Sequence, residues 1–371
     1  MIKKLNSLTV LFLITILMIV LMLLTLQGPS DSNDDDGLLF PTLFGQLNSV
    51  DTLKFKSNQD EFTVYKQGED WFIKERLDYP ADFDLVKRIL VDLSDTKILE
   101  RKTDKPQQYP LLGLDSMEEG GDALSLTLLN GDKAIAGLIL GDERETTATM
   151  GAKQYYVRRS EEARSWLAEG YLNINPLMLN WIKSEVINIA RERIANVNII
   201  QPTGVMARLI NLGQKDKFGT PQSLDKTVFK YEQLGYDIAG TLFQLRMEDV
   251  QAAKGFSRGN AEVVTGEFIT FDGLKIITKT SFNDGFYFTT FNAEYDAAII
   301  KVAPADIQKL SILKTAEQVQ AEVAIINMEL HPWVYRFGGF VGTNLMRAKS
   351  DMVTETSNII PMPADVMGFG S

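Results

Sequence analysis

The most regular feature of the sequence is an unbroken apolar run near its amino terminus. Residues 8–26, LTVLFLITILMIVLMLLTL, include no charged residue, glycine or proline. As a helix rising about 1.5 Å per residue, this run would be roughly 28 Å long, which matches the hydrocarbon core of a bilayer. A cleaved signal peptide has a shorter apolar core and a small-residue cleavage site, which residues 27–30 (QGPS) do not provide. The pattern therefore predicts an uncleaved transmembrane anchor rather than a removed leader or a buried core helix.

Charged residues on either side of the run predict its orientation. Lys3 and Lys4 precede it, and the acidic segment 31–36 (DSNDDD) follows it. Basic flanking residues stay on the cytoplasmic side of a membrane. We therefore expect a cytoplasmic stub and transmembrane anchor at 1–27, a polar tether at 28–37, and the remainder of the chain outside the cytoplasmic membrane.

The next part of the chain alternates short strands with helices. An apolar pattern over 38–50 predicts a short amphipathic helix, and alternating residues over 52–74 (TLKFK, EFTVYK and WFIK) predict an antiparallel meander. A helical period over 83–93 predicts a helix with Asp82 as its N-cap. Asn130-Gly131 is a strong hairpin signal. Four further strands are predicted at 97–101, 123–129, 135–140 and 154–158.

A second strand-rich stretch follows an apolar bridge at 166–182. The pattern predicts strands at 186–200 and 205–212, a helix at 224–234, and further strands at 240–247, 268–277 and 285–291. This order of strands, helix and strands resembles that of the first stretch. Two interpretations stay open, a degenerate internal duplication and a chance likeness, since the second stretch lacks a counterpart of Trp71.

The end of the chain is predicted to close the fold. Pro304 predicts the start of a helix whose apolar face runs from Ile307 toward Ile326, and 333–335 predicts a strand or docking element. The predicted fold class is α+β, with a transmembrane helix followed by antiparallel-sheet modules and packed helices. Its parts are a first module at 38–185, a second module at 186–302, a closing helix and aromatic segment at 303–349, and a mobile tail at 350–371.

Composition narrows the possible functions by exclusion. With 45% hydrophobic and 23% charged residues the chain is globular, and its net charge of −11 argues against a nucleic-acid partner. Because there is no cysteine, disulfides, thiolate metal sites and cysteine nucleophiles are excluded. The single histidine, His331, cannot form a cluster of histidine ligands.

Motifs for catalysis or cofactor binding are not recognised in the sequence. The chain has no GxxxxGK[ST] phosphate loop, no GxGxxG dinucleotide loop and no GxSxG nucleophile elbow to accompany His331. The acidic pairs 118–119 and 161–162 are interpreted as solvated loops, because adjacent residues point apart. The sequence therefore predicts a non-enzymatic protein with no catalytic, cofactor-binding or metal-binding residue.

A series of motifs carries a resemblance to a known family. They are FPTLFGQLNSVDTLKF, EFTVYKQGEDWFIKER, Tyr79-Pro80-Ala81, Tyr109 with Gly113-Leu114, Leu140-Gly141, Tyr155-Tyr156-Val157-Arg158 and His331-Pro-Trp-Val-Tyr335. In this order they resemble the bacterial family known as domain of unknown function 4340, over most of residues 38–348. The resemblance implies an anchored extracytoplasmic protein of the kind encoded beside an ABC-2-type permease, an ATPase and a gliding-motility-type auxiliary subunit. It implies no functional residues, because the family has no established site.

Two functions are expected from these observations. The first is a single-pass protein of a Gram-negative inner membrane, with a cytoplasmic amino terminus and a periplasmic body, that serves as an accessory subunit of an ABC-type transport system and contacts its permease, ATPase or auxiliary subunit. The alternative is a periplasmic ligand-binding module for a glycan or lipid, with Trp166, Tyr171 or Trp181 lining a groove. A hydrolase whose acidic dyad assembles from distant residues is a third class.

Overall fold

The computed structural model describes residues 37–144, 151–213, 217–220 and 228–354. The predicted anchor at 8–26 and most of the predicted tether and tail lie outside these ranges. Within the described ranges, every helix is too short or too polar to traverse a bilayer.

The described residues form two compact units. The first contains the chain up to Glu69 and Asp84–Met178, and the second contains Asp70–Phe83 and the chain from Leu179 onward. The chain therefore leaves the first unit for one short segment and returns to it.

The elements before residue 171 are mostly strands. In chain order they are the 3-10 helix Phe44–Ser49, β1 (Thr52–Lys56), β2 (Glu61–Gln67), β3 (Asp70–Ile73), the 3-10 helix Lys74–Arg76, β4 (Tyr79–Pro80), α1 (Phe83–Ser94), β5 (Lys97–Arg101), the 3-10 helices Pro106–Leu112 and Met117–Glu119, β6 (Leu124–Asn130), β7 (Lys133–Arg144), β8 (Lys153–Arg159) and β9 (Ser165–Gly170).

The remaining elements again combine strands with short helices. They are the 3-10 helix Met178–Asn180, β10 (Glu185–Ile187), the 3-10 helix Arg191–Arg193, β11 (Ile194–Ile200), β12 (Met206–Asn211), β13 (Phe218–Gly219), β14 (Val228–Phe229), α2 (Leu234–Ala239), the 3-10 helix Gly240–Leu242, β15 (Leu245–Arg246), β16 (Asp249–Ala252), β17 (Val263–Thr270), β18 (Leu274–Asn283), β19 (Phe286–Tyr295), the 3-10 helix Ala297–Ile299, α3 (Ala305–Gln308), α4 (Ala316–Leu330), β20 (Trp333–Phe337), α5 (Gly339–Met346), α6 (Lys349–Met352) and β21 (Val353–Thr354).

An antiparallel sheet forms the core of the first unit. Its strands are hydrogen-bonded in the order β2-β1-β6-β7-β8-β9-β5. Alternation along β1 and β2 buries one set of side chains, among which Phe55 stacks on Phe62 with ring centroids 4.6 Å apart. Helix α1 buries Val86, Ile89, Leu90 and Leu93, whose spacing forms one apolar stripe.

The second unit contains a larger antiparallel sheet in the order β13-β12-β11-β17-β18-β19-β20-β16. Because β20 pairs with β19 only near Tyr287–Thr289, the far part of β19 has no strand beside it on that edge. Asn327 of α4 fills the gap, since its amide donates to the Ala293 carbonyl at 2.8 Å and accepts from the Ala293 N–H at 2.7 Å. The helix thus satisfies backbone groups that an unpaired edge would expose.

The two sheets share one strand order. The order β2-β1-β6-β7-β8-β9-β5 in the first unit corresponds strand by strand to the order β12-β11-β17-β18-β19-β20-β16 in the second unit. A helix, α1 or α2, precedes the strand that closes each sheet. The predicted recurrence of strands, helix and strands is therefore present in the topology, and the second unit differs by carrying α3 and α4 between β19 and β20.

The α+β composition and several local predictions are confirmed. Antiparallel sheets and helices are both present, and α1 begins directly after Asp82. The hairpin predicted at Asn130-Gly131 joins β6 to β7, with Gly131 at a φ of 56°. This positive φ explains why glycine suits the turn.

Other local predictions are wrong. The amphipathic helix expected over 38–50 is a 3-10 helix limited to Phe44–Ser49, and the bridge at 166–182 begins with β9. Within the described part of 224–234, β14 and a turn precede α2, which starts only at Leu234. Short apolar runs of this kind do not distinguish strand from helix by their period alone.

Two predicted elements are interrupted by turns. The strand expected over 268–277 is divided between β17 and β18 by a turn in which Gly273 has a φ of 91°. The single closing helix is divided into α3 and α4, with Ser311 at a φ of 54° between them. Helix α4 begins anew after its N-cap residue Thr315, whose side chain forms a capping box with Gln318. The apolar pattern is continuous across both breaks, so periodicity did not reveal them.

Candidate functional site

Several residues of the motifs behind the family resemblance lie in two clusters. The Tyr109–Arg158 cluster lies in the first unit and contains Tyr109, Ser116, Glu119 and Arg158. The Tyr79–Tyr335 cluster lies in the second unit and contains Tyr79, Trp333 and Tyr335. Each cluster joins residues that are far apart in the sequence.

Arg158 is the centre of the first cluster. It lies on β8 with only 6% of its surface exposed, and its guanidinium carbon is 4.5 Å from the centroid of the Tyr109 ring. Its Nη2 donates to Glu119 Oε2 at 2.7 Å. The Tyr109 hydroxyl donates to the Ala163 carbonyl. Burial raises the pKa of Tyr109, and the charge of Arg158 opposes this rise.

Glu119 is positioned by the turn that carries it. Its Oε2 accepts hydrogen bonds from the backbone N–H and the hydroxyl of Ser116, both at 3.0 Å. The same oxygen accepts from Arg158, so the carboxylate connects the 3-10 turn to β8. The Ser116 hydroxyl, Glu119 Oε2 and the Tyr109 hydroxyl each have a hydrogen-bond partner, whereas Nε of Arg158 is buried without one.

Two glycines of the family motifs bring this loop onto β7. A Cβ on Gly141 would lie 2.3 Å from the Leu112 carbonyl oxygen. Gly113 has a φ of 62°, and its Cβ would lie 2.5 Å from a carboxylate oxygen of Asp142. Glycine is therefore required at 141 by the close approach of two backbones, and at 113 by both space and conformation.

The second cluster is aromatic and buried. The rings of Tyr79 and Trp333 meet edge to face with centroids 5.0 Å apart. Tyr335 has no exposed surface and lies against Phe291, with ring centroids 5.6 Å apart. Burial raises the pKa of both Tyr79 and Tyr335 far above the usual range of a phenol. Both phenols are therefore neutral at physiological pH, and the cluster serves as packing.

A buried ionic network in the second unit was missed by sequence reasoning. Arg193, with 3% of its surface exposed, donates to Asp272 at 2.8 Å and to both carboxylate oxygens of Glu322 at 2.7 and 2.9 Å. Lys314 contacts Glu322 at 2.9 Å through its amine and Asp272 at 2.9 Å through its backbone N–H. Asp272 also accepts from the Thr270 hydroxyl. No local pattern could have found this network, because its members lie far apart in the chain.

The carboxylates of this network are held in their charged form. Burial disfavours ionisation of Asp272 and Glu322, but hydrogen bonds from Arg193 and its neighbours outweigh it, so both pKa values lie below their usual range. The network contains two positive and two negative groups, so its net charge is zero. Its hydrogen bonds link α4 to the start of β11 and to the β17–β18 turn.

The structure places the residues considered from sequence in separate locations. His331 is exposed at the end of α4, and Glu118 pairs with Lys56 at 2.6 Å. Trp166 is 6% exposed and Trp181 is fully buried, whereas Tyr171 is 59% exposed. The expectation that these three aromatic residues could line a groove is therefore wrong for both tryptophans, which are core residues. Among the residues with described positions, no three acidic or histidine side chains are grouped to hold a metal ion.

One described cavity lies in the second unit. Its volume is about 90 Å³, and it is lined by Met206, Ala207, Arg208, Thr220, Lys349, Met352 and Val353. Sites for drug-sized ligands enclose roughly 300 Å³ or more. This cavity can therefore hold only a small group.

The turn between β18 and β19 presents aromatic side chains to solvent. Asp284 and Gly285, at φ values of 50° and 84°, form the tight turn between the two strands. Beside the turn, Phe282 is 48% exposed and Phe286 is 43% exposed. Tyr287 packs on Phe282 with ring centroids 4.7 Å apart.

Helix α5 crosses directly over Tyr287. A Cβ on Gly342 would lie 2.0 Å from Cγ of Tyr287, and the Tyr287 hydroxyl lies 3.3 Å from the hydroxyl of Thr343. The same helix presents Phe340, which is 66% exposed. Phe286 pairs with Asn283 and therefore projects from the other face of the sheet, where the guanidinium carbon of Arg336 lies 4.7 Å from the centroid of its ring. We call Phe282, Tyr287 and Phe340 the hairpin aromatic surface.

These features define a two-unit α+β protein with buried structural clusters and an exposed aromatic surface. Residues 71–258, half of the chain, match the family described as Domain of unknown function (DUF4340), and the chain belongs to that family. The match confirms the resemblance to this family and includes the motifs between Trp71 and Arg158. Neither a curated protein nor a solved structure matches the chain.

Proposed function

We propose that this chain is a single-pass, membrane-anchored and non-enzymatic accessory protein of an ABC-type transport system. Its body lies in the periplasm, and its second unit contacts the permease or the auxiliary subunit through the hairpin aromatic surface. The observation that carries the proposal is the exposure of Phe282 and Phe340 on the two elements that contact Tyr287.

Isolated exposed apolar residues are common and need no partner. The hairpin aromatic surface differs because Phe282 packs on Tyr287 beside a two-residue turn, and Phe340 belongs to the helix that crosses the same tyrosine. Aromatic residues are enriched at protein interfaces, where they supply large contact area at low entropic cost. A rigid aromatic surface of this kind supports a protein partner.

The location rests on the sequence and on the family. The apolar run at 8–26 has the length of a membrane span, and its flanking charges favour a cytoplasmic amino terminus. A short tether would then keep the body at high effective concentration beside other membrane proteins. The glycan- or lipid-binding alternative loses support because Trp166 and Trp181 are buried.

Co-purification tests the partner. The full chain, tagged at its carboxyl terminus and expressed at native level, is extracted in a mild detergent and its associated proteins are identified. We expect the permease and the ATPase to be recovered with the wild type and lost with the double variant Phe282→Ser and Phe340→Ser. Phe44→Ser, at a position 69% exposed in the first unit, is the control and should retain both. Recovery of the wild type without any transporter component would contradict the proposal.

Protease accessibility tests the location separately. In intact spheroplasts, external protease should degrade the body and leave a membrane-embedded fragment that contains residues 8–26. A body protected until the cells are lysed, or a mature protein released into the soluble fraction, would show that the proposed topology is wrong.

A further inference from the structure

We propose that Arg208, Lys301 and Lys349 form a binding site for a phosphoryl group on the second unit. This site is separate from the hairpin aromatic surface and goes beyond the proposed function. The cavity lined by Arg208, Lys349, Met206 and Met352 is its centre.

Strand register places two of the cations on one face of the sheet. Arg208 on β12 lies opposite Asn198 on β11. Asn196, two residues earlier on β11, accepts a hydrogen bond from the Lys301 amine at 3.0 Å. Residues two apart on a strand project to the same face, so Arg208 and Lys301 lie on that face together. Lys349 reaches the site from α6, where it lines the same cavity as Arg208.

Described carboxylates near the site are engaged elsewhere. Glu267 pairs with Lys275 at 2.8 Å and accepts from Asn198 at 2.9 Å. Asp351 lies 3.6 Å from Lys230. Among the residues that the structure describes, none forms a salt bridge with the three cations of the site.

Uncompensated positive charge in an acidic protein favours an anionic ligand. The chain has a net charge of −11, yet Arg208 and Lys349 line one cavity, and Lys301 lies on the same sheet face as Arg208. Burial lowers the pKa of Lys301, and the charge of Arg208 lowers it further, so the two groups repel each other. An anion between them would remove this repulsion.

A phosphoryl group fits the donors best. The planar guanidinium of Arg208 can donate two parallel hydrogen bonds to phosphate oxygens, whereas each lysine contributes a compact charge. Three positive charges match a phosphate monoester, which carries up to two negative charges near neutral pH. Met206 and Met352 provide an apolar wall for a small substituent, and a cavity of about 90 Å³ admits no more than that.

Titration calorimetry on the full chain in a non-ionic detergent tests the site, with glycerol phosphate as the probe. We expect wild-type protein to bind the probe, and Arg208→Gln and Lys349→Gln each to weaken binding at least about tenfold through loss of a charge-assisted hydrogen bond. Arg208→Lys keeps the positive charge but loses the two parallel donors of the guanidinium. It should therefore weaken binding of the probe less than Arg208→Gln does. The matched control is Lys133→Gln, an exposed lysine of the first unit, which should bind like the wild type.

A second probe separates the two sources of a phosphoryl group. Dihexanoyl phosphatidylglycerol that binds more tightly than glycerol phosphate, with the same dependence on Arg208, would identify a lipid headgroup as the ligand. Equal or weaker binding of the lipid would identify a soluble phosphate. Absence of binding by both probes, or binding that Arg208→Gln and Lys349→Gln leave unchanged, would overturn the proposal. An equal loss in Lys133→Gln would overturn it as well, because it would reveal non-specific attraction.

Discussion

Arg193 shows how much of the second unit depends on one side chain. Its guanidinium is almost fully buried and donates to two carboxylates, each of which has additional partners. A buried ion pair costs desolvation to form, so it adds little net stability. Removal of one partner nevertheless lowers the free energy of unfolding strongly, because the remaining charges stay buried without an opposite charge beside them.

We therefore expect Arg193→Ala to lower the free energy of unfolding by about 3–5 kcal/mol. Urea unfolding followed by far-ultraviolet circular dichroism measures the change. Lys309→Ala is the control, since Lys309 and Asp306 form a pair whose side chains are 75% and 84% exposed. Its effect should stay within about 0.5 kcal/mol. A similar loss in both variants would contradict the assigned role of Arg193.

The same network predicts a loss of stability in acid. The pKa values of Asp272 and Glu322 are lower in the folded protein than their usual range. The two carboxylates therefore contribute their full stabilisation above the pKa of the unfolded state, about 4. This stabilisation is lost as the pH falls through their pKa values in the folded state. The free energy of unfolding should decrease below about pH 5, and the double variant Asp272→Asn and Glu322→Gln should show a shallower decrease. Urea unfolding from pH 6 to pH 3 measures both slopes. Asp306→Asn should keep the wild-type slope, and equal slopes in all three proteins would show the prediction to be wrong.

At the scale of elements, contacts between a loop and a strand explain family motifs that have no chemistry. The 3-10 helix Pro106–Leu112 carries Tyr109 to the guanidinium of Arg158, and its end lies on Gly141 of β7. The motif residues were recognised from sequence, but their contact was not. They are separated by strands and loops whose arrangement no local pattern describes.

Gly141→Ala tests this contact. A Cβ there would lie 2.3 Å from the Leu112 carbonyl oxygen, so the loop must shift away from β7. We expect a loss of about 1–3 kcal/mol in the free energy of unfolding, as for other overpacked sites. The matched control is Gly45→Ala, because a Cβ on Gly45 meets no atom within 4 Å. Chemical denaturation of both variants measures this loss. An unchanged denaturation midpoint for Gly141→Ala would contradict the close approach of Gly141 to the Leu112 carbonyl.

At the scale of the whole molecule, each unit has its own sheet and its own core. The strands that correspond between the two sheets pair within their own units. The ionic network belongs to the second unit alone.

Hydrogen exchange should therefore show a local response to Arg193→Ala. We expect faster amide exchange in β11, β17, β18 and α4, which meet at the network, and unchanged exchange in β6 and β7 of the first unit. The physical reason is that opening of one sheet does not require opening of the other. Mass spectrometry of deuterated peptides measures both regions. Acceleration of equal size in both sheets would contradict independent cores.

Sequence reasoning predicted elements better than it predicted their limits and pairings. Most strands of the first unit, although not β9, and the hairpin at Asn130-Gly131 were recognised, because alternation and turn residues are local properties. The divisions at Gly273 and before Thr315 were missed, since the apolar pattern continues through both. The candidate site was predicted only as a set of motifs. The tryptophans expected at a surface groove are core residues, because burial depends on which elements lie above them.

The sequence by itself determined the local features of this protein: the apolar run at 8–26, the alternation that makes strands, and the turn at Asn130-Gly131. These depend on neighbouring residues and on the sterics of a short stretch of backbone. Only the tertiary structure decided that Arg193 meets Asp272, 79 positions away, and Glu322, 129 positions away. It also decided that two sheets share one order of strands, because pairing between distant segments is selected by the packing of the whole unit.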